Sequence, residues 1–194
     1  MSVKNLIITG IGGQGVLYLS AILRRALVEK YGGVTGYDVR GGAQRLGHVA
    51  SVIRFEDSPG GQPRRLAIDF DDGACDFALA LEASELLKFN SKLSARSLAV
   101  SDEFIITPTN VRRRDQEYFD FASLKRHFTA ITAKYIHGDF RGAAGKNFNE
   151  PLSANLIMLG RLIKETGTAL ELEDIETACG KEEFKIIKYG FEAL

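Results

Sequence analysis

The sequence has few of the residues that hold metal ions or redox centres. Its 194 residues include two cysteines, three histidines and no tryptophan. Cys75 and Cys179 are far apart, and an iron–sulfur cluster normally needs four thiolates, so we expect neither a cluster nor a disulfide in this chain. His48, His127 and His137 share no spacing typical of metal ligands. We therefore expect no metal site and no redox centre carried by this chain alone.

An excess of charge of one sign is also missing. Lysine plus arginine and aspartate plus glutamate number 25 each, which gives a formal net charge of zero at pH 7. This balance gives no electrostatic reason to expect nucleic acid or an anionic membrane as a partner. No apolar run approaches the length of a membrane span, and the first one, residues 6–8, is too short for a signal peptide. We expect a cytoplasmic protein.

Strands and helices alternate along the chain. A chain of 194 residues, 45% of them hydrophobic, can bury a core as one domain over residues 1–194. Apolar runs predict strands at residues 5–10, 34–37, 48–55, 76–81, 97–100 and 131–137. Helical spacing predicts helices at residues 16–31, 83–92, 121–128, 174–178 and 182–194, with another beginning at residue 151. The pattern predicts an α/β fold: a three-layer domain with a mostly parallel, Rossmann-like sheet and C-terminal helices.

Three segments are predicted to lack regular structure. Residues 36–47 are glycine-rich, residues 102–118 form an exposed excursion with an arginine run, and residues 138–149 are rich in glycine and asparagine. The first two strands and the helix between them are predicted to form a strand–helix–strand unit with parallel strands.

A glycine-rich turn joins the first strand to the first helix. Residues 10–15 read G-I-G-G-Q-G, with glycines at positions that let backbone amides approach a phosphate at a helix N-terminus. Dinucleotide binding also requires an acidic residue near the end of the second strand, and Asp38 follows Gly15 by 23 residues. The turn therefore predicts a nucleotide or anion site, or glycines that serve only the contact between strand and helix.

Two features weaken the dinucleotide interpretation. An arginine-bearing loop follows Asp38 where a dehydrogenase usually begins its next helix, and no later segment supplies a base for hydride transfer with an orienting carboxylate. A free-standing nucleotide-dependent oxidoreductase that uses Gly10, Gly12, Gly15 and Asp38 remains an alternative. So does a non-enzymatic module that binds an anion or nucleotide through the same turn.

The loop after Asp38 is the second unusual segment. Arg40 and Arg45 are placed to clamp an anion or a carboxylate of a partner, and the glycines at 41 and 42 permit close backbone approach. A solvated surface loop is equally compatible with this spacing.

The residues of the turn carry a family resemblance. Gly12 to Val16 resembles the opening motif G-x-G-G-Q-G, followed by isoleucine or valine, of 2-oxoacid:ferredoxin oxidoreductase gamma subunits. The glutamine after two glycines separates this motif from an ordinary dinucleotide turn. Residues 42–54 resemble a segment of the indolepyruvate-type branch that ends in Q-R-G-G-x-V-x-S-x-x-R, with Leu46 in place of one glycine.

Residues 40–43 read R-G-G-A, as in 2-oxoglutarate-type members, so the sequence does not decide between the two branches of the family. Later segments extend the resemblance to the end of the chain. Residues 155–160 resemble the late N-x-x-x-L-G helix of the family, and residues 185–193 resemble its closing helix.

The resemblance implies an accessory subunit without catalytic residues of its own. In such complexes thiamine diphosphate and magnesium lie on alpha and beta subunits, iron–sulfur clusters pass electrons to ferredoxin, and coenzyme A accepts the acyl group. A delta subunit is present in some of them. This chain would be inactive alone and would bind none of these groups by itself. The predicted contact residues for cofactor or partner are Gly10, Gly12, Gly13, Gln14, Gly15, Arg40, Gly41, Gly42, Gln44 and Arg45.

Overall fold

Six strands form one sheet, in the order β2-β3-β1-β4-β5-β6. The computed structural model describes residues 2–41, 47–58, 66–114 and 117–193. The strands are β1 (Val3–Ile11), β2 (Val34–Arg40), β3 (His48–Glu56), β4 (Phe77–Ala80), β5 (Leu98–Asp102) and β6 (Lys134–Gly138). β1, β4, β5 and β6 run parallel, whereas β3 is antiparallel to both β1 and β2. The prediction of a mostly parallel sheet is confirmed.

The strand–helix–strand unit differs from the prediction in one respect. β1 and β2 run in the same direction, as expected, but β3 lies between them and pairs with each. The insertion of β3 moves the second strand to the edge of the sheet and away from the end of β1.

Helices cover both faces of the sheet. They are α1 (Val16–Tyr31), α2 (Thr109–Arg113), α3 (Phe121–Ile131), α4 (Phe140–Phe148), α5 (Ala154–Thr166), α6 (Leu172–Glu176) and α7 (Lys181–Glu192), with 3₁₀ helices at Ala83–Lys92, Pro151–Ser153 and Gly167–Ala169. Side chains from α1, α4, α5, α6 and α7 share one buried cluster with the sheet. Side chains from α3 and the 3₁₀ helix Ala83–Lys92 share a second cluster on the opposite face. The result is the predicted three-layer arrangement.

The first helix follows its sequence pattern closely. It begins after Gly15, whose φ of 85° favours glycine, and ends at Gly32, whose amide donates to the Val28 carbonyl. Leu19 and Leu23, a turn apart, are fully buried against the sheet. Spacing and glycine stops together fix both ends of α1.

Two predictions on irregular segments were wrong, and a third segment contains a short helix. Residues 138–149 contain α4, because Asp139 caps the helix by accepting from the Gly142 amide at 2.7 Å and Phe140 is buried in the core. β2 continues to Arg40, held by its ladder with β3, although residues 36–47 were expected to be irregular. The exposed excursion at 102–118 includes the short helix α2.

In the part of the chain that the structure describes, no helix is long and apolar enough to cross a membrane.

Candidate functional site

Gln14 closes the glycine-rich turn with its own side chain. Its Oε1 accepts from the Ile11 amide and its Nε2 donates to the Leu81 carbonyl, both at 2.9 Å, and the side chain is buried. The first bond tightens the turn. The second ties the turn to the residue after β4, so Gln14 joins the carboxyl ends of two parallel strands.

The glycines of the turn have different roles. A Cβ at Gly10 would lie 2.6 Å from Oε1 of Gln14, and one at Gly15 would lie 2.3 Å from Nδ2 of Asn155, so both positions are closed by packing. Nδ2 of Asn155 donates to the Gln14 carbonyl at 3.1 Å and joins the turn to α5. Gly13 differs, because its φ is 98° and nothing lies within 4 Å of an added Cβ. Its backbone is open to an approaching molecule.

The second predicted segment begins and ends beside this turn. Gly42, Gln44 and Arg45 lie outside the described residues, but both ends of their loop are described. The Gly41 amide donates to the His48 carbonyl at 2.6 Å, and the Gly12 amide donates to the Gly47 carbonyl at 2.8 Å. The structure therefore places the two ends of this loop beside the glycine-rich turn. Arg40 is exposed at the end of β2.

Asp38 lies away from the glycine-rich turn and has other hydrogen-bond partners. It pairs with Ser51 on β3, which pairs in turn with Ile8 on β1, so Asp38 lies two strands away from β1 and level with a residue before the turn. Its carboxylate accepts from the Ser51 hydroxyl at 2.6 Å and from Arg24 at 3.3 Å. The acidic residue that a dinucleotide site requires is therefore not placed beside the turn.

A narrow cleft lies beside the turn. It encloses about 230 Å³, its open mouth included, and Gln14, Asp102, Arg141 and Asn155 are among its lining residues. Asp102, 1% exposed at the end of β5, accepts from the Phe104 amide at 2.9 Å and the Arg141 amide at 3.2 Å. Burial raises the pKa of Asp102 to about 6, despite those bonds. Sequence reasoning missed Asp102, although a carboxylate at the end of a parallel strand was visible.

Asp102 makes stability depend on pH. The pKa of Asp102 is raised above the value of about 3.9 for an unfolded chain. The stabilisation by the protonated Asp102 carboxyl is therefore fully present below about pH 3.9 and is lost as pH rises to about 6. We expect the free energy of unfolding to fall less steeply between pH 4 and 6 in Asp102→Asn than in the wild type. Urea titrations at four pH values measure this slope. The same replacement at exposed Asp71 is the control, and an unchanged slope in Asp102→Asn would contradict the assignment.

His48 is fixed by a carboxylate of the neighbouring element. Its Nδ1 is hydrogen-bonded to Glu85, which also accepts from Lys88 at 2.7 Å. Burial opposes ionisation of Glu85, but the hydrogen bonds from His48 and Lys88 outweigh it and hold its pKa below the usual value. His48 is therefore a strand residue whose ring nitrogen has a carboxylate partner.

Neither cysteine of the chain is an activated nucleophile. Burial raises the pKa of the Cys75 thiol and of the Cys179 thiol, so neither is a ready thiolate. Across residues 2–41, 47–58, 66–114 and 117–193, no three histidine, cysteine or acidic side chains are grouped to hold a metal ion. The arrangement offers open backbone at Gly13 and an exposed arginine, Arg40.

Comparison with known proteins identifies relatives of the same kind. Indolepyruvate oxidoreductase subunit IorB of Methanothermobacter thermautotrophicus is 28% identical over 175 residues, which cover 88% of this chain and 83% of the relative. The protein of the same description from Archaeoglobus fulgidus is 26% identical over 191 residues, 98% of this chain and 91% of the relative.

Solved structures share the fold. The gamma subunit of a keto/oxoacid ferredoxin oxidoreductase from Geobacter sulfurreducens has a TM-score of 0.66 at 19% identity, with 99% of this chain and 96% of that chain covered. Pyruvate oxidoreductase subunit PORC from Thermotoga maritima has a TM-score of 0.65 at 17% identity, with 99% and 97% covered. A 2-oxoglutarate:ferredoxin oxidoreductase from Magnetococcus marinus matches at a TM-score of 0.61 and 16% identity. The match covers 100% of this chain and 30% of the Magnetococcus chain.

The family model of pyruvate ferredoxin/flavodoxin oxidoreductase matches residues 5–189, and this confirms the resemblance seen in the glycine turn and the later segments. The chain belongs to the pyruvate ferredoxin/flavodoxin oxidoreductase family.

Proposed function

We propose that this chain is the accessory gamma subunit of a 2-oxoacid:ferredoxin oxidoreductase and is inactive alone. The complex would convert a 2-oxoacid and coenzyme A to an acyl-CoA and carbon dioxide, with ferredoxin taking the electrons. The fold match to the Geobacter sulfurreducens gamma subunit along nearly the whole chain, with the family match over residues 5–189, supports this role. The IorB relatives favour an aryl 2-oxoacid such as indolepyruvate. We place the complex in the cytoplasm.

The observation that carries the proposal is the open, apolar surface around the glycine turn. Gly13 leaves its backbone uncovered, and Tyr18, at the start of α1, is 46% exposed. Leu152, which lines the cleft beside Gln14, is 52% exposed. Aromatic and aliphatic side chains that remain exposed around a rigid backbone are typical of protein interfaces. The turn is held by Gln14 and Asn155, so a partner meets a preformed surface.

The proposed contact residues divide by their surroundings. Gly12, Gly13, Arg40 and Gly41 are proposed to touch a partner or coenzyme A, together with Gly42, Gln44 and Arg45 outside the described residues. Gly10, Gln14 and Gly15 are proposed to act indirectly, since side-chain packing already closes them.

The cofactors are proposed to reach this subunit only through assembly. Thiamine diphosphate with magnesium and the iron–sulfur clusters would belong to the alpha, beta or delta subunits. Two cysteines are too few for a cluster, which normally needs four thiolates. The role of this chain would be to cover the catalytic centre and to contact coenzyme A with its arginines.

The first test is capture of partners. With a tag on this chain and co-expression of the alpha and beta subunits, we expect a complex that reduces ferredoxin with a 2-oxoacid. The double variant Arg40→Ala/Arg45→Ala should lower turnover about tenfold through loss of charge-assisted contacts. A chain that elutes alone would contradict the proposal, and full turnover of the double variant would remove the loop from the contact surface.

The geometry does not favour the free-standing nucleotide-dependent enzyme. Asp38 lies apart from the turn, and its carboxylate is already paired with Ser51 and Arg24. Titration of the isolated chain with NADH checks this alternative, and we expect no saturable binding at micromolar concentration.

A further inference from the structure

An exposed aromatic side chain lies on the opposite face of the sheet from α1. Phe119 precedes α3 and is 52% exposed. Its ring lies edge-on against Tyr118, with centroids 5.2 Å apart. The two rings line a depression of about 670 Å³, its open mouth included, together with Glu117, Asp120 and Ser123. This volume accommodates one long side chain of another protein.

A hydrogen-bond network holds the Tyr118 ring in position, and Phe119 packs against that ring. The Tyr118 hydroxyl is hydrogen-bonded to the Ser84 hydroxyl at 2.9 Å, and Ser84 donates to Glu82 at 2.8 Å. Glu82 is 1% exposed and also accepts from the amides of Glu85 and Ile106, at 2.9 and 2.8 Å. The network links the end of β4 to the segment after β5. Because the Tyr118 ring is held before any partner arrives, less conformational entropy is lost on binding.

The charge around the rings specifies the partner's chemistry. Glu117 and Asp120 are exposed, and among the described residues neither forms an ion pair. The Asp120 carboxylate accepts from the Ser123 amide at 2.7 Å. Hydrogen bonds from the Ser123 side chain and amide lower its pKa, and the charge of Arg126 adds to this effect, so the group is charged at neutral pH. Two carboxylates beside an aromatic face match a lysine or arginine, which ion pairs and cation–π attraction both favour.

We propose that this Tyr118–Phe119 depression receives a lysine or arginine side chain of the catalytic subunits to which the chain binds. The inference rests on the proposed function and adds a second contact to it. The depression lies at the carboxyl end of the parallel strands, as the glycine turn does, because Ser84 and Glu82 directly follow β4. Both contacts therefore lie at the same end of the sheet, where the parallel strands finish.

Affinity of purified subunits measures this contact. Phe119→Ala should weaken binding of this chain to the alpha and beta subunits about tenfold or more, as truncation of an aromatic anchor does, while Phe119→Tyr should preserve it. Val28→Ala is the matched control, because Val28 is 48% exposed on α1 across the sheet. Melting temperatures of all variants should equal that of the wild type.

Charge removal provides an independent readout. Glu117→Gln/Asp120→Asn keeps the helix cap, since asparagine also caps, and should weaken binding about tenfold at 50 mM salt but little at 500 mM salt. Wild-type binding with no effect of Phe119→Ala or of the double variant would overturn the inference alone. Self-association of the isolated chain that depends on Phe119 would also overturn it, by assigning the depression to a second copy. Absence of wild-type binding would overturn the proposed function as well.

Discussion

Alanine in place of Gly160 or Gly190 should destabilise the protein by about 3 kcal/mol in each case, as overpacking of a close contact does. A Cβ at Gly160 on α5 would lie 1.9 Å from the Ile187 carbonyl oxygen on α7, and one at Gly190 would lie 2.0 Å from the Ile157 carbonyl oxygen. Both obstacles are backbone atoms, which cannot rotate away. The helices must separate, and α5 carries the Asn155 amide that holds the glycine turn.

Urea unfolding at 25 °C measures this effect. Gly145→Ala is the matched control, because Gly145 also lies inside a helix, and the nearest atom to its added Cβ is Pro151 Cγ at an ordinary 3.6 Å. Alanine there should stabilise the protein by up to about 1 kcal/mol through higher helix propensity. Equal effects of Gly145→Ala and Gly160→Ala would show that α5 and α7 tolerate a wider separation.

Gln14→Leu should lower the free energy of unfolding by about 3 kcal/mol, although leucine has a similar volume. The change leaves the Ile11 amide and the Leu81 carbonyl without their partner in a buried site, and each unsatisfied group costs about 1–3 kcal/mol. The loss should also weaken binding to the catalytic subunits, because the turn is then free of β4.

Gln14→Glu separates the two bonds. Glutamate keeps the acceptor for Ile11, but when ionised it has no proton to donate to Leu81. The difference in free energy of unfolding between Gln14→Glu and the wild type should therefore shrink as pH falls and the carboxyl becomes protonated. Denaturant titration at pH 5 and pH 8 makes the comparison, and a difference that does not change with pH would contradict the donor role assigned to Nε2.

The fold was predictable where local pattern and packing agree. Helical spacing bounded by Gly15 and Gly32 gave both ends of α1, and both glycines have a positive φ, 85° and 78°, that is incompatible with an α-helix. The pattern failed at α4, where Gly142 and Gly145 suggested a loop. The Asp139 cap and the burial of Phe140 outweigh the poor helix propensity of the glycines, and these contacts are invisible in the local sequence.

The candidate site was predictable only in part. The sequence singled out Gln14 as unusual, but its partner Leu81 is 67 residues away, so the closed turn followed only from the fold. Alternation identified β3 as a strand without showing that it lies between β1 and β2. That insertion pairs Asp38 with Ser51 and counts against the dinucleotide interpretation.

The most direct test of the account is an add-back measurement. The alpha and beta subunits, with delta if present, are purified without this chain, and ferredoxin reduction by a 2-oxoacid and coenzyme A is followed as the purified chain is added. The account predicts low activity without it, saturable recovery at a fixed stoichiometry, and weaker recovery with Gln14→Leu. Full activity without this chain, or 2-oxoacid oxidation by the chain alone, would contradict its role as an accessory subunit.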